Sequence, residues 1–316
     1  MTDTLPLVSV GIAVWNGEAF LEKALRSLLN QDYRNIEIVI LDNHSSDSTA
    51  HICQDLSKED SRVRYILDDQ KRDVMSAQTK AAHLANGEFY MVACDDDWYA
   101  PNYISRLMGI LGANPEIGLA YCALGFIDED DRKASAPPRP FFSKNDDPIE
   151  NFRSYLSKRD PVPIVFGIIR KSIHLDALQY FIKPDRRGWD HDNLYLMRLL
   201  SQTRVEGIAE VLFYYRQQDR DALYKKRNQS HDLGNPFANY LSRILHQWSV
   251  SAVVNQIIDD ASFSARQKVG LQMSNYRSFF RYIHIKYLRE GIRNGLAWKK
   301  IKSIFTHSIA SARNDQ

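Results

Sequence analysis

The stretch Phe89-Tyr90-Met91-Val92-Ala93-Cys94-Asp95-Asp96-Asp97-Trp98-Tyr99-Ala100-Pro101 decides how this chain reads. It opens apolar and strand-like, then runs straight into three adjacent carboxylates. Such neighbours repel, so a fold holds them at a strand end only where water, hydrogen-bond donors or a cation offset the repulsion. A hard divalent cation is one answer, because Mg2+ or Mn2+ takes one or two carboxylates and fills its other positions with water and phosphate oxygens. A solvated acidic turn capping the helix that Pro101 begins is the other.

Towards the N-terminus, Leu7 to Val14 reads as a buried strand. Asn16-Gly17 then turns the chain into a helix with Phe20, Leu21, Ala24, Leu25, Leu28 and Leu29 at helical spacing. Ile36 to Leu41 is apolar but for Glu37, as a strand covered on both faces is, and the polar turn Asp42 to Thr49 opens another helix. Val63 to Leu67 and Glu88 to Ala93 are predicted strands; Val74 to Ala85 and Asn102 to Leu111 are predicted helices. This alternation predicts an α/β fold, a mostly parallel sheet flanked by helices. Ligands of such sheets lie outside the carboxyl ends of the strands. Asp42 and Asp95 to Asp97 each follow such an end, so they can converge on one crevice.

Towards the C-terminus, Ile117 to Ile127 is a further predicted strand, and Asp128 to Pro148 a loop rich in proline and charge. A loop of that length reads as a lid or binding loop, or as simple disorder. Pro161 to Arg170 has strand character, Asp190 to Leu200 helical spacing, and Val205 to Tyr215 extended character. Beyond about Ser230 the pattern is helical and basic. The 316 residues suffice for one large α/β domain and an appendage, and 44% hydrophobic with 25% charged residues describes an ordinary globular protein. A net charge of +2 provides no broad basic surface and argues against nucleic acid. Cys53, Cys94 and Cys122 lack metal-ligand spacing and suit a reducing cytoplasm. Neither a signal peptide nor a spanning apolar run is visible, so the expectation is a cytoplasmic protein, soluble or held at the inner face of the membrane.

The strand, the Asn16-Gly17 turn, the helix closing on Ser27-Leu28-Leu29-Asn30-Gln31, Glu37 to Asp42 and Ser45-Ser46-Asp47-Ser48-Thr49 follow one another in an order that resembles the family 2 glycosyltransferases. The likeness continues through Asn86-Gly87-Glu88, Asp95-Asp96-Asp97 with Pro101, and Trp189-Asp190-His191-Asp192 followed by Leu196-Met197-Arg198-Leu199. It covers residues 5 to 217. The resemblance implies the GT-A fold and inverting transfer from a nucleotide-sugar donor, UDP-linked, to a glycan or lipid-linked acceptor in surface-glycan synthesis. It divides the chain into a glycosyltransferase domain, 1–225, with a nucleotide-binding half (1–115) and an acceptor-binding half (116–225), and a helical C-terminal region, 226–316.

By the same resemblance, Asp42 accepts from the nucleotide base, with an Asx turn or helix cap as its structural alternative. The backbone at Ala13, Val14 and Trp15 lines the base and ribose pocket. Arg72 is a nucleotide contact or a solvated arginine. Asp95 lies near the ribose, Asp96 binds Mg2+ or Mn2+, and Asp97 is the next candidate ligand. The family commonly has aspartate where this chain has Cys94; thiol is a poor ligand for a hard cation, and Cys94 is expected as a packed strand residue. Asp192 is the general base, with Asp190 able to serve in its place, and His191 stands where glutamate is usual. Arg216 binds the diphosphate or forms a structural ion pair. Asp47 suits helix capping and is left out of the site.

Phe279, Phe280, Ile283, Tyr287, Ile292 and Leu296 share one helical face interleaved with basic residues. Such a segment lies on an anionic membrane or packs on its own domain or a homodimer partner. Two other functions stay open on the sequence: a silent nucleotide-sugar-binding or scaffold protein, suggested by Cys94, His191 and Gln218, and a nucleotidyltransferase. The latter should carry a glycine-rich phosphate loop, and Ala13 to Gly17 is not one.

Overall fold

The structure, a computed structural model, describes residues 5–133, 147–158, 164–179, 191–217 and 250–282. The chain divides into two compact units, Met1–Phe181 with Trp189–Arg220, and Ile182–Gly188 with Asp221–Gln316.

Alternation of strand and helix in the first hundred residues folds as expected. The strands β1 (Val8–Val14), β2 (Ile36–Asp42), β3 (Val63–Leu67) and β4 (Phe89–Ala93) alternate with α1 (Leu21–Leu29), α2 (Thr49–Glu59) and α3 (Val74–Leu84). All four strands are mutually parallel, in the order β3-β2-β1-β4. Every residue of β2 is buried, which is why Ile38 to Leu41 are apolar without alternation. On α1, Leu21, Leu25 and Leu28 are fully buried against the sheet; each stabilises the fold by about 1.5–3 kcal/mol relative to exposure.

After the acidic run, β5 (Trp98–Tyr99), α4 (Tyr103–Ala113), β6 (Ile117–Ile127), α5 (Pro148–Lys158), β7 (Ile168–Arg170), α6 (Lys171–Leu178), α7 (His191–Gln202) and β8 (Arg204–Arg216) complete this unit. The sheet continues β4-β7-β6-β8-β5, with β7 antiparallel to both neighbours and β8 parallel to β6. Two reversals therefore point β6 and β8 the same way as β1 to β4. The carboxyl ends of β1, β2, β4, β6 and β8 share one edge.

Among the described residues, the sequence reading differs from the structure at several elements. The loop expected from Asp128 to Pro148, of which residues 134–146 lie outside the described residues, is followed by a helix the sequence reading did not give, α5, whose Phe152, Tyr155 and Leu156 are buried. Of the strand expected over Pro161 to Arg170, residues 161–163 lie outside the described residues, and the described part is a short 3-10 turn, Ile164–Phe166, followed by the strand Ile168–Arg170. Gly167 sets that break, because a Cβ there would lie 2.5 Å from the Ala120 carbonyl oxygen. Finally, α6 and the two-residue β5 were not foreseen.

In the second unit, residues 250–260 and Ala265–Tyr282 are helical, and Val254, Ile257, Ile258 and Leu271 are buried. Asn275, fully buried, donates through Nδ2 to the Ser251 carbonyl and to Asn255 Oδ1, while its Oδ1 is left buried without a hydrogen-bond partner. The basic amphipathic face beyond Phe279 lies outside the residues whose side chains are described. No helix among the described residues is long and apolar enough to cross a membrane.

Candidate active site

Loops leaving β1 and β2 are stitched together above the sheet edge. Asn43 N–H donates to the Val14 carbonyl, Asn16 N–H to Ser45 Oγ and Gly17 N–H to Thr49 Oγ1. Asn16 Oδ1 accepts from Ser46 N–H in return. Asn16 (φ 55°) and His44 (φ 62°) both sit in the left-handed region, which asparagine tolerates better than most residues. Asp47 does the bracing expected of a capping residue: Oδ1 accepts from the Thr49 N–H and hydroxyl, Oδ2 from Glu18 N–H.

Asp42 lies opposite Val14 and is completely buried. Its Oδ1 accepts from Ser45 N–H, an Asx-type turn, and its Oδ2 from the Tyr65 hydroxyl at 2.9 Å. Asp42 therefore sits beneath the loop surface and shapes it. Arg72 is brought to the same corner, since Asn43 bonds its backbone at both N–H and carbonyl. Its guanidinium pairs with the buried Asp68, which Lys80 also binds. Arg72 first, then Lys80, outweigh burial and hold Asp68 far below the usual carboxylate range. Trp15 stays 53% exposed, with Lys71 Nζ 3.7 Å from its ring centroid.

The acidic run does not cap α4. Asn102 is the residue before that helix, and Trp98 and Tyr99 between the acids and it pair with Tyr214 and Phe213 of β8. The acids face the sheet edge instead. Asp95 lies against the β1–α1 turn, so close that a Cβ on Gly17 would meet its Oδ2 at 2.5 Å. Asp97 is 1% exposed; its Oδ1 accepts from Arg216 N–H, and its Oδ2 is buried with no hydrogen-bond partner. Burial and the neighbouring Asp96 charge push Asp95 up to about 6 and Asp97 up to about 8. One donor atom from each of Cys94, Asp96 and Asp97 lies within 4.8 Å of the other two. An orphaned carboxylate oxygen beside a second carboxylate is what a divalent cation would satisfy, so these residues fit one. Cys94, expected to be packed in the strand, is only half-buried and turns its sulfur to this cluster.

Arg216 ties β8 to the edge. Nε donates to the Asp96 carbonyl, Nη1 to the Asp128 carbonyl, Nη2 pairs with Asp131 at 2.6 Å, and the guanidinium lies over the Phe20 ring. Against the cost of burial, Lys23 and Arg216 hold Asp131 below the usual carboxylate range. Lys23, Asp128 and Asp131 carry no motif by which sequence reading could have found them; for the two acids, position just past the end of β6 was the sole signal. Asp192 occupies the first turn of α7, with its side chain outside the described residues; Asp190 lies outside them altogether. The structure thus gathers Ala13 to Trp15, Asp42, Arg72, Asp95 to Asp97 and Arg216 along one sheet edge.

Comparison with known proteins bears on the family and the fold. The sequence profile described as "Glycosyl transferase family 2" matches residues 9–175. A "GalNAc(5)-diNAcBac-PP-undecaprenol beta-1,3-glucosyltransferase" of Campylobacter jejuni is 35% identical over 105 residues, 33% of this chain and 34% of that protein. "Putative colanic acid biosynthesis glycosyl transferase WcaA" of Escherichia coli is 34% identical over 101 residues, 32% of this chain and 36% of that protein. The match thus spans about a third of the length of these curated relatives. Staphylococcus aureus TarS 1-349 in complex with UDP-GlcNAc superposes with TM-score 0.63 at 14% identity, over 93% of this chain and 77% of that one. "Mannosyltransferase PcManGT from Pyrobaculum calidifontis in complex with GDP-Man and Mn2+" gives 0.51 at 17%, over 94% and 89%. These likenesses establish a GT-A fold.

Proposed function

Because the chain belongs to glycosyl transferase family 2, we propose that it is an inverting enzyme moving a sugar from a UDP-linked donor to a glycan or lipid-linked acceptor. The acceptor oxygen attacks the anomeric carbon, the bond from that carbon to the donor phosphate oxygen breaks, and the nucleoside diphosphate leaves with the bonding pair. Asp192 takes the hydroxyl proton; a helix N-terminus favours its ionised form, and a placed base contributes roughly 10²–10⁴-fold. Asp96 and Asp97 would hold a divalent cation, which would offset the negative charge that builds on the leaving diphosphate. Asp95 faces the ribose. Ala13 to Trp15, Arg72 and the Asp42-supported loop form the base pocket. Arg216, committed to Asp131 and to main-chain carbonyls, acts as a positioning residue.

The observation that carries this reading is the buried, unbonded Asp97 Oδ2 beside Asp96, at the edge where the β1 and β2 loops are stitched. The C. jejuni relative, named for an undecaprenol-diphosphate-linked acceptor, supports a lipid-linked acceptor and work at the inner face of the membrane. The UDP-GlcNAc complex of TarS supports a UDP donor, and the Mn2+ complex of the mannosyltransferase supports metal dependence. A panel of nucleotide sugars incubated with the protein and Mn2+ tests the proposal. Nucleotide release is expected from a UDP-sugar and lost in Asp96→Ala; transfer is lost in Asp192→Asn. Tight nucleotide binding without turnover on any acceptor would instead identify a silent binding protein.

A further inference from the structure

The Cys94 thiol lies beside two carboxylates and not in the core. Cys53 and Cys122 are buried in the core, but Cys94 is half-buried at the strand edge. Its sulfur and one oxygen each of Asp96 and Asp97 lie within 4.8 Å of one another. Asp97 Oδ2 is a buried, unpartnered acceptor, with the other oxygen of that carboxylate already engaged by Arg216 N–H. Around a tetrahedral ion, sulfur at about 2.3 Å and oxygen at about 2.1 Å stand about 3.6 Å apart. Closing the cluster from 4.8 Å therefore asks for side-chain movements of about 1 Å.

We propose that Cys94 is a thiolate ligand beside Asp96 and Asp97, so that this site prefers a borderline-soft divalent cation, Zn2+ or Co2+, over Mg2+ or Mn2+. Thiolate selects such ions, whereas an all-oxygen site suits Mg2+ and Mn2+. On binding, the sulfur–metal bond forms and the thiol proton leaves to solvent. This inference rests on the carboxylate pair holding the cation in the proposed transferase, and its test reads the metal rather than the reaction.

The full chain, stripped of metal and kept reduced without thiols, is titrated with Co2+ while the near-ultraviolet thiolate-to-cobalt charge-transfer absorption is recorded. The expected result is a band saturating at one equivalent, absent in Cys94→Ser, whose Co2+ affinity falls at least about tenfold. Cys94→Asp should move the ratio of Mn2+ to Co2+ affinity towards Mn2+ by a similar factor. Co2+ binding to the unaltered chain without the band, or a band that survives in Cys94→Ser, overturns the inference. UDP-sugar turnover with Mn2+, measured in parallel on the unaltered chain, keeps the two readings apart: turnover without the cobalt band preserves the transferase and removes Cys94 from the metal.

Discussion

Arg216 shows what one residue can do when charge is buried on purpose. It is 2% exposed, and its side chain is divided between Asp131, two main-chain carbonyls and the Phe20 ring. Lysine would keep the charge but not the planar fork that reaches three acceptors at once. Asp131 is 44% exposed and stays solvated without its partner, so the loss falls on the two main-chain carbonyls, about 1–3 kcal/mol for each one left without a donor. Arg216→Ala is therefore expected to lower the urea stability of the chain by about that amount, with Arg216→Lys recovering only part of it. A loss near zero would mean that the two carbonyls are solvated. In sequence, the residue divides between phosphate contact and ion pair, and the structure shows why: the acid that engages it stands on another strand's loop, at no fixed spacing. Asp42 is the reverse case, since its Asx-turn alternative was written into the polar run that follows it, and Ser45 N–H closes that turn.

At the scale of elements, the end of the sheet away from the site explains Asn86-Gly87-Glu88. Glu37 on β2 is buried, and it accepts from Ser9 Oγ on β1, from Asn86 N–H and from Arg64 Nη1 on β3. Burial alone would raise its pKa, but these donors outweigh it and hold the carboxyl below its ordinary value. Gly87 N–H donates to Ser9 Oγ, and a Cβ there would lie 2.6 Å from the Leu7 carbonyl oxygen and 2.8 Å from Ser9 N. Main chain cannot move aside as a side-chain tip can, so the β1–β4 pairing has to open. Gly87→Ala should destabilise by about 1–3 kcal/mol while leaving the donor KM of the folded fraction unchanged, which chemical denaturation and initial-rate kinetics check together. Such motif residues mark the fold, not the chemistry. The first four strands were legible because their runs are apolar and bounded by polar turns. Helix α5 hid behind prolines, although Phe152, Tyr155 and Leu156 already stood at helical spacing. No pattern within Trp98-Tyr99 could announce β5, because two residues are a strand only through their pairing with β8.

At the scale of the whole molecule, His174 of α6 joins β4 to α7 within the first unit. Its ring stacks on Tyr90 of β4 at 4.6 Å, and its Nδ1 lies 2.6 Å from the Tyr195 hydroxyl of α7. Burial, with smaller contributions from the charges of His83 and Lys171, pushes its pKa down to about 3. An unfolded histidine titrates near about 6.5. Between those values the unfolded chain binds a proton that the folded chain refuses, so stability falls as pH falls, starting below about 6.5. Integrated to pH 5, one such group removes about 2 kcal/mol. The acidic run works in the opposite sense, because Asp95 and Asp97 take up protons more readily folded than unfolded and gain stability as pH falls. A bare acid titration of the protein therefore mixes two signs, and a paired comparison separates them. Urea midpoints at pH 7.5 and pH 5 are expected to differ more for the unaltered chain than for His174→Gln, by about 2 kcal/mol in stability. Gln cannot charge, so whatever packing it loses is lost at both pH values and cancels. Equal losses in the two proteins would show that His174 takes its proton without unfolding, and that the contact between β4 and α7 is open to water.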